Sequence, residues 1–508
     1  MLVYDYLLQS ANKYPEKPVV FHGNKSLTYH ELSSLVRSQA SWLISQKFDA
    51  GFRCGILTDD PFEYISAYFA IQLAGGIVVG LNTQTSERSL KTLLTDSRIS
   101  VVFAQKKFHR YLAPFASQLP SLKLIVSDEE FSCNGATSIW MDRQVILKTD
   151  LQITDFPVVK PDDIAQIIYT SGTTGSPKGV MLRHANLVAN TSSIITYLKL
   201  TENDKVMAVL PFFYSYGNSV LLTHIAVGGS LVVNQNFLYP NVILDEMLER
   251  EVTGFSGVPS TFALLLNRSA INKYHFPKLR YLTQAGAAMS PKLAGQLQKV
   301  FPEAEIFVMY GQTEASARLS YLPPEDLERK MGSIGRAIPG VTLKLLDRDG
   351  RSVADGETGE IVAVGDNIMA GYWERRPETD QVLREEGLWT GDLARRDHEG
   401  YFYIVSRKSD MIKSGSHRIA PKEIEEIIHE HEAVHEVAVL GVEDEILGET
   451  IKACVVLKPG VTCLPKELLL HCRRNLPAFK VPHRIVFFDE LPKTATGKII
   501  KRQLMADG

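Results

Sequence analysis

The sequence predicts an α/β protein: a large N-terminal domain of α/β subdomains plus a small β-barrel-like part, followed by a small α+β C-terminal domain. Three observations carry that expectation. From Arg53 onward, short apolar runs bounded by turn residues alternate with stretches of helical period, the pattern of parallel strands covered by helices. Beyond Gly332 the texture changes to short β runs separated by Gly and Asp turns. After Arg407 comes a compact mixture of helices and strands, so a boundary is expected within 406–410, dividing the chain into residues 1–407 and 408–508. A chain of 508 residues exceeds what one hydrophobic core holds, which agrees with such a division.

Each element has its own signal. Residues 2–13 carry apolar positions at helical spacing and stop at Tyr14-Pro15. Two β-type segments follow, and Thr28 with Glu31 fits a capping box opening a helix over 28–43. Strands at 54–57, 77–80 and 101–104 alternate with helices at 61–73, opened by Asp60 and Pro61, and 86–95. A further apolar run at 164–169 reads as a buried strand. The alternation resumes with strands at 206–210, 230–233, 281–284 and 306–310 and helices at 216–227, 242–250 and 261–266. The β-rich part includes 341–346 and 360–364. The last region reads as a helix at 421–430, strands at 437–440 and 451–457, a helix at 465–475 and a strand at 484–488.

Composition excludes several function classes. Hydrophobic residues make up 45% and charged residues 22%, ordinary for a globular chain. A formal net charge of −3 supplies no electrostatic drive toward nucleic acid or an anionic membrane. The five cysteines, at 54, 133, 454, 463 and 472, show no C-x-x-C and no metal-type spacing, which suits free thiols in a reducing compartment. The N-terminus lacks a basic n-region and a small-residue cleavage site. The longest apolar stretch, 67–81, is broken by Gln72 and Gly75-Gly76, so no membrane span is expected and a cytoplasmic location is.

The chemistry centres on 169–179, YTSGTTGSPKG. Ser171, Gly172, Thr173, Thr174 and Gly175 crowd hydroxyls and Cβ-free backbone into one turn, and Lys178 adds a mobile positive charge. Such a turn can aim several donors at one point, which is the equipment for holding a polyphosphate. It is not a Walker loop, and no G-x-G-x-x-G is present. A plain surface turn has the same composition, so other stretches must decide. YGQTE at 310–314 directly follows an apolar strand, at the sheet edge where open parallel sheets take ligands. TGD at 390–392 sits in a turn beside Trp389, SRKSD at 406–410 joins two regions of different texture, and Lys498 follows Gly497 near the end of the chain. Taken singly, Glu314 reads as a solvated turn carboxylate, Asp392 as a turn former and Lys498 as a surface lysine.

Together, in this order and spacing, these stretches resemble the adenylate-forming superfamily of acyl-CoA synthetases, peptide-synthetase adenylation domains and firefly-type luciferases, the AMP-binding enzymes. The resemblance runs from LTYHEL at 27–32 to TGK at 496–498 and includes GAAM at 286–289, GSIGRAIPG at 332–340, GYW at 371–373 and GLWTGD at 387–392. It implies an acid–thiol ligase that is AMP-forming. A carboxylate attacks the α-phosphorus of ATP, giving an acyl-adenylate and pyrophosphate, and a thiol then takes the acyl group. It also implies that Ser171, Gly172, Thr173, Thr174, Gly175 and Lys178 hold the β- and γ-phosphates. Glu314 would bind Mg²⁺ and Thr313 would contact the α-phosphate. Tyr310, with Gly311 following it, would stack on the adenine beside the backbone of Gly286, Ala287 and Ala288. Asp392 would bind the ribose hydroxyls with Arg407 beside it. Lys498 would reach the α-phosphate and carboxylate from a mobile C-terminal domain, whose rotation later opens a channel for a pantetheine thiol.

Two positions depart from the commoner family pattern. The hinge is Ser409, next to Asp410, where the family usually has Asp or Lys, and the thiol channel reads Ser414-Gly415-Ser416 in place of Ser-Gly-Gly. Ser416 adds a side chain where a thin tunnel needs backbone only. The expected acceptor is CoA; the alternative is the phosphopantetheine of an acyl or peptidyl carrier protein, loaded by a stand-alone acyl-AMP ligase. A luciferase-like oxygenase and an inactive binding module are further alternatives, and the joint presence of Lys178, Glu314, Asp392, Arg407 and Lys498 speaks against decay. In relatives 211–217 lines the acyl side. No Asp or Glu stands between 211 and 225 to pair an ammonium, which argues against an amino-acid substrate. Phe213, Tyr214 (often His in the family), Tyr216, Val258 and Ala285 suggest an apolar pocket with aromatic walls for an aromatic or medium aliphatic acid.

Overall fold

Two mainly parallel sheets with one strand order between them build the N-terminal part. The computed structural model describes residues 1–128, 139–142, 156–170, 177–237, 239–414, 417–444, 448–493 and 499–505. The chain divides into two units, the first made of 1–331, 337–342 and 363–388, the second of 332–336, 343–362 and 389–508. In the first unit one sheet runs, side by side, Lys178–Arg183, Ile164–Thr170, Ile77–Gly80, Arg53–Leu57, Val101–Ala104, Leu124–Ser127 and Ile139–Asp142. The other has a parallel core of Glu305–Tyr310, Tyr281–Gln284, Gly254–Gly257, Lys205–Ala208, Ser230–Val233 and Pro18–His22. In each, the first strand of the run (Arg53–Leu57 or Lys205–Ala208) is central, the second joins one side and the third the other. That reversal opens a crevice at the carboxyl ends of the strands, where ligands bind in open α/β sheets.

Local sequence explains the elements. The Thr28 capping box forms as expected: Glu31 N donates to Thr28 Oγ1 at 3.2 Å and Thr28 N to Glu31 Oε2 at 2.8 Å, opening the helix Tyr29–Ser45. Asp60 accepts from Phe62 N and Glu63 N ahead of Pro61, so Pro61–Leu73 starts where those residues place it. The helix Ser215–Val227 is buried nearly all round, and it packs against both Asp5–Lys13 and His184–Leu198. Inside this core His224 donates through Nδ1 to Val220 O at 2.9 Å and lies 2.8 Å from Tyr281 Oη at Nε2, and His184 Nδ1 accepts from Val3 N at 3.2 Å. Burial lowers both imidazole pKa values to about 4, so both are neutral at pH 7.

The second unit holds most of the antiparallel pair Gly387–Arg396 and Phe402–Arg407, part of the β-rich region expected beyond Gly332. It ends in a sheet ordered His417–Ile419, Ile412–Ser414, Gly448–Leu457 and Val434–Asp444, with Arg484–Phe487 parallel to Gly448–Leu457. Helices Pro421–Glu430 and Pro465–Asn475 cover it through Ile424, Ile428, Val439, Ile451, Val455 and Leu468. Among the described residues Cys54, Cys463 and Cys472 are free thiols, and no helix is long and apolar enough to cross a membrane.

Candidate active site

Many of the expected site residues of the first unit gather at the carboxyl ends of the strands in the sheet that contains Lys205–Ala208, around its switch point. The loop after Lys205–Ala208 carries Phe213, Tyr214 and Tyr216; Val258 follows Gly254–Gly257; Ala285, Gly286, Ala287 and Ala288 follow Tyr281–Gln284; Gly311, Thr313 and Glu314 follow Tyr310 at the end of its strand. Parallel pairing aligns these strand ends, so residues some 100 positions apart in sequence share one rim.

Glycine-rich and hydroxyl-rich residues 171–176 lie outside the described residues, so Ser171, Gly172, Thr173, Thr174 and Gly175 receive no placement; the same holds for Gly415, Ser416 and Lys498. The flanks of the loop are described. Ile164–Thr170 pairs antiparallel with Lys178–Arg183, placing Thr170 opposite Lys178 and Tyr169 opposite Gly179. The two flanks therefore lie side by side, with Lys178 opposite Thr170 at the end of the pair. Tyr169 Oη donates to Asp96 Oδ2 at 2.6 Å, Arg375 Nη2 meets Asp96 Oδ1 at 2.7 Å, and Trp373 Nε1 donates to Asp96 O at 3.0 Å. Burial first, and then the Asp96 carboxylate, raises the Tyr169 pKa well above its ordinary value, so the phenol stays a donor.

One side chain links the lysine of the loop to the acid of YGQTE. Tyr372 Oη donates to Glu314 Oε1 at 2.8 Å, and Lys178 Nζ lies 5.1 Å from the centroid of the Tyr372 ring, within cation–π range. The backbone around Tyr372 is sewn to both partners: Met369 N donates to Glu314 O at 2.9 Å, Ala370 N to Met181 O at 2.9 Å and Trp373 N to Gly179 O at 2.7 Å. The structure thus brings Lys178 and Glu314 together, as expected, through a residue whose role the motif reading left unassigned.

The YGQTE turn is tightly folded. Thr313–Ala315 is a single 3₁₀ turn, followed by Ser316 at φ 56° and Ala317 at φ 113°. A Cβ on Gly311 would lie 2.0 Å from Ala317 O, so only glycine permits this approach. Ala317 holds a conformation costing roughly 1–3 kcal/mol, the kind of strain that folds keep where a site needs it. Gly286, at φ +91°, turns the chain beside Val258, whose Cγ1 would lie 3.2 Å from an added Cβ. Thr313 Oγ1 is 3.3 Å from Ser215 Oγ.

The acyl-side residues also converge. The Phe213 and Tyr214 rings are 4.5 Å apart, Asn82 Nδ2 donates to Tyr214 Oη at 3.2 Å, and Tyr216 Oη lies 2.9 Å from both Thr283 O and Thr283 Oγ1. Burial raises the pKa of both tyrosines, so both hydroxyls are neutral. In the second unit Asp392 is buried, and its Oδ1 accepts from Arg407 Nε at 2.9 Å across the strand pair. Glu360 is likewise held, by Lys408 Nζ at 2.9 Å and Gly391 N at 3.0 Å. Ser409 sits in the turn after this pair and donates from Oγ to Asp410 Oδ1 at 2.9 Å.

Among the described residues no group of three or more His, Cys, Asp or Glu is placed to hold a metal ion. A lone carboxylate such as Glu314 fits Mg²⁺ arriving with a polyphosphate, since Mg²⁺ takes one or two carboxylates and fills its shell with phosphate oxygens and water.

Residues 7–373 match the AMP-binding enzyme family, and residues 423–498 match the AMP-binding enzyme C-terminal domain. The chain belongs to the AMP-binding enzymes. It is 32% identical over 532 residues to a long-chain-fatty-acid–CoA ligase of Bacillus subtilis, covering 99% of this chain and 93% of that one. It is 30% identical over 507 residues to an indoleacetate–CoA ligase of Aromatoleum aromaticum, covering 99% and 98%. Among solved structures, an anthranilate CoA ligase bound to anthranoyl-AMP superposes with a TM-score of 0.89 at 27% identity, covering 99% and 96% of the two chains. The o-succinylbenzoate CoA synthetase of Bacillus subtilis, with ATP and magnesium bound, gives 0.85 at 28% identity, covering 98% of each. The resemblance read from the motifs is borne out, as is a mixed α/β fold with a large N-terminal and a small C-terminal domain. These relatives are CoA ligases or synthetases by name, and this chain is an enzyme, an AMP-forming acid–thiol ligase.

Two contributions were not legible. Asp96 reaches Tyr169 across 73 residues and Arg375 across 279, with no motif of its own. Arg318 had one signal, a lone cation in the otherwise small and apolar run after Glu314.

Proposed function

We propose that the chain activates a carboxylic acid with ATP and Mg²⁺ and passes the acyl group to CoA. The observation that carries this reading is the Lys178–Tyr372–Glu314 link at the carboxyl edge of a parallel sheet. It fixes a cation at the base of the glycine-rich loop and a carboxylate one tyrosine away, the charges that a polyphosphate and its Mg²⁺ require.

In the first step a carboxylate oxygen bonds to the α-phosphorus, the bond from that phosphorus to the bridging oxygen breaks, and pyrophosphate leaves with the electron pair. A carboxylate needs no deprotonation at neutral pH, so the site must align reactants and neutralise charge, and a general base is unnecessary. Lys178 and the hydroxyls and amides of 171–175 grip the departing phosphates. Mg²⁺, when bound at Glu314, spreads the negative charge of the phosphate oxygens. Thr313 donates to the α-phosphate, and Tyr310 and Gly311 with Gly286, Ala287 and Ala288 frame the adenine. Asp392, held by Arg407, accepts from the ribose hydroxyls.

In the same step Lys498 reaches the α-phosphate and the carboxylate from a C-terminal domain of residues 408–508 that turns about Ser409. In the second step the thiol sulfur bonds to the acyl carbon, the bond to the AMP oxygen breaks, and the thiol proton is released. Gly415 and Ser416 border the thiol path. A carrier-protein phosphopantetheine is the alternative acceptor, favoured only by the extra side chain at Ser416. The relatives act on long-chain fatty acids, indoleacetate, anthranilate and o-succinylbenzoate by their names; the aromatic names favour an aromatic acid, and the long-chain ones are longer than the medium aliphatic body expected here. Free cysteines in the described residues support a cytoplasmic location. Presenting purified enzyme with ATP, Mg²⁺, a panel of acids, and CoA or a carrier protein tests the reading; AMP with acyl-CoA is the expected product pair.

A further inference from the structure

Arg318 is a buried cation packed on Tyr216, one of the residues expected on the acyl side, and an apolar pocket does not explain it. It is buried, 3% exposed, and its guanidinium carbon lies 4.1 Å from the centroid of the Tyr216 ring. Its hydrogen bonds run to uncharged acceptors: Nη1 to Ala317 O at 3.1 Å and Nε to Met309 Sδ at 3.3 Å. Among the described residues no carboxylate forms an ion pair with it.

These contacts offset much of the cost of burial but bring no counter-charge. Burying a guanidinium costs several kcal/mol even after relaxation. A cation–π contact returns about 0.5–2 kcal/mol, a thioether is a weak acceptor, and one bond from a charged donor to a carbonyl returns roughly 1.5–3 kcal/mol. The side chain keeps planar paired N–H donors, the geometry that matches a carboxylate bidentately.

The surroundings direct that charge to the substrate side. Arg318 packs on Tyr216, whose hydroxyl continues into Thr283 Oγ1 at 2.9 Å and then Ser256 Oγ at 2.8 Å. All four side chains are buried, so the wall behind the aromatic face is polar and bears one positive charge. The strained backbone at Ser316 and Ala317 is what turns residue 318 inward: Arg318 O accepts from both Asn190 Nδ2 at 3.1 Å and Asn367 Nδ2 at 2.8 Å, pinning the strand so that its side chain stays on the Tyr216 face.

We propose that Arg318 is a specificity-determining residue and that the acid activated here carries a second anionic group, a carboxylate, at the end remote from the one that is adenylated. The proposal rests on the acyl-activating function proposed above and names the substrate class of that site. A purely alkyl or aryl acid leaves the guanidinium buried against apolar surface; a diacid supplies its counter-charge.

Acid-dependent exchange of labelled pyrophosphate into ATP tests this with matched pairs of equal length, such as a medium-chain α,ω-diacid against its monoacid and an aryl diacid against its monoacid. Wild-type enzyme is expected to favour the diacid of a pair by roughly 10⁴-fold in kcat/KM, the scale on which a site built for a polar group rejects the analogue lacking it. Arg318→Met is expected to invert or erase that ratio, with the loss of diacid use appearing chiefly in KM, and Arg318→Lys to restore part of it. MgATP binding, measured by calorimetry, stays within twofold in both variants. A wild-type preference for the monoacids overturns the proposal whether or not the variants fold, and so does an unchanged ratio in folded Arg318→Met. Failure of every acid with wild-type enzyme instead refutes acid activation itself.

Discussion

Replacing Tyr372 with phenylalanine removes a single oxygen and leaves the ring that Lys178 faces. The oxygen is the donor that meets Glu314 Oε1 at 2.8 Å. A hydrogen bond to a charged acceptor contributes about 1.5–3 kcal/mol, and the partly solvated carboxylate places this one near the lower end. At about 1.4 kcal/mol per decade, losing 1.5–2 kcal/mol of orientation in the transition state slows adenylation roughly 10- to 30-fold. The ring contact with Lys178 at 5.1 Å survives, so the substitution isolates the orientation of Glu314 from the position of the lysine. The assay is pyrophosphate exchange at varied Mg²⁺, paired with calorimetric MgATP binding and with thioester formation from preformed acyl-adenylate. The expected pattern is a higher Mg²⁺ requirement and slower exchange with thioester formation unchanged. Exchange within twofold of wild type, or an equal loss in the thioester step, refutes the link between Tyr372 and the metal carboxylate.

Other perturbations probe separate parts of the account. Lys498→Ala is expected to lower adenylate formation by roughly 100-fold or more while sparing acyl transfer from preformed adenylate, because the lysine acts only in the first step; equal losses in single-turnover assays of the two steps contradict domain rotation. Ser416→Gly is expected to speed thiol capture, read as the rate of acyl-CoA appearance from isolated adenylate. Gly311→Ala forces a Cβ to within 2.0 Å of Ala317 O, so a loss of about 1–3 kcal/mol in unfolding stability together with weaker ATP binding is expected from denaturant and binding titrations. His184 and His224 have folded pKa values of about 4, below the ordinary 6.5. The unfolded chain therefore binds more protons between those values, so stability is full above pH 6.5 and falls as the pH drops through the window toward 4. Each histidine contributes about 3 kcal/mol to that loss. The urea midpoint against pH reads it, and His224→Gln flattens the slope.

Sequence periodicity located elements where local chemistry decides them. Pro61–Leu73, Ile77–Gly80, Ser230–Val233, Pro421–Glu430 and Pro465–Asn475 stand at the bounds their caps, prolines and apolar runs indicate. The helices expected over 242–250 and 261–266 start two residues earlier, as Pro240–Glu249 and Pro259–Arg268, because Pro at the first helical position opens each. The returning strand Lys178–Arg183 and the helix His184–Leu198 were not assigned, since the turn-forming residues before them dominate a local window. The rim of the site was legible as motifs, because YGQTE must follow a strand to work. Its internal geometry was not: Tyr372 meets Glu314 only after the chain has gone 58 residues further and paired Gly371–Tyr372 with Lys178–Arg183. Arg318 was hidden for a related reason. A cation in a surface turn and one buried under Tyr216 read alike until the fold sets its neighbours.

Acid-dependent exchange between pyrophosphate and ATP, followed by addition of CoA, tests the central claim most directly. The account predicts exchange that requires both a carboxylic acid and Mg²⁺ and proceeds without any thiol, then conversion on adding CoA to AMP and acyl-CoA in equal amounts. Exchange without an acid, release of ADP and phosphate in place of AMP and pyrophosphate, or an adenylate that CoA leaves untouched would contradict it.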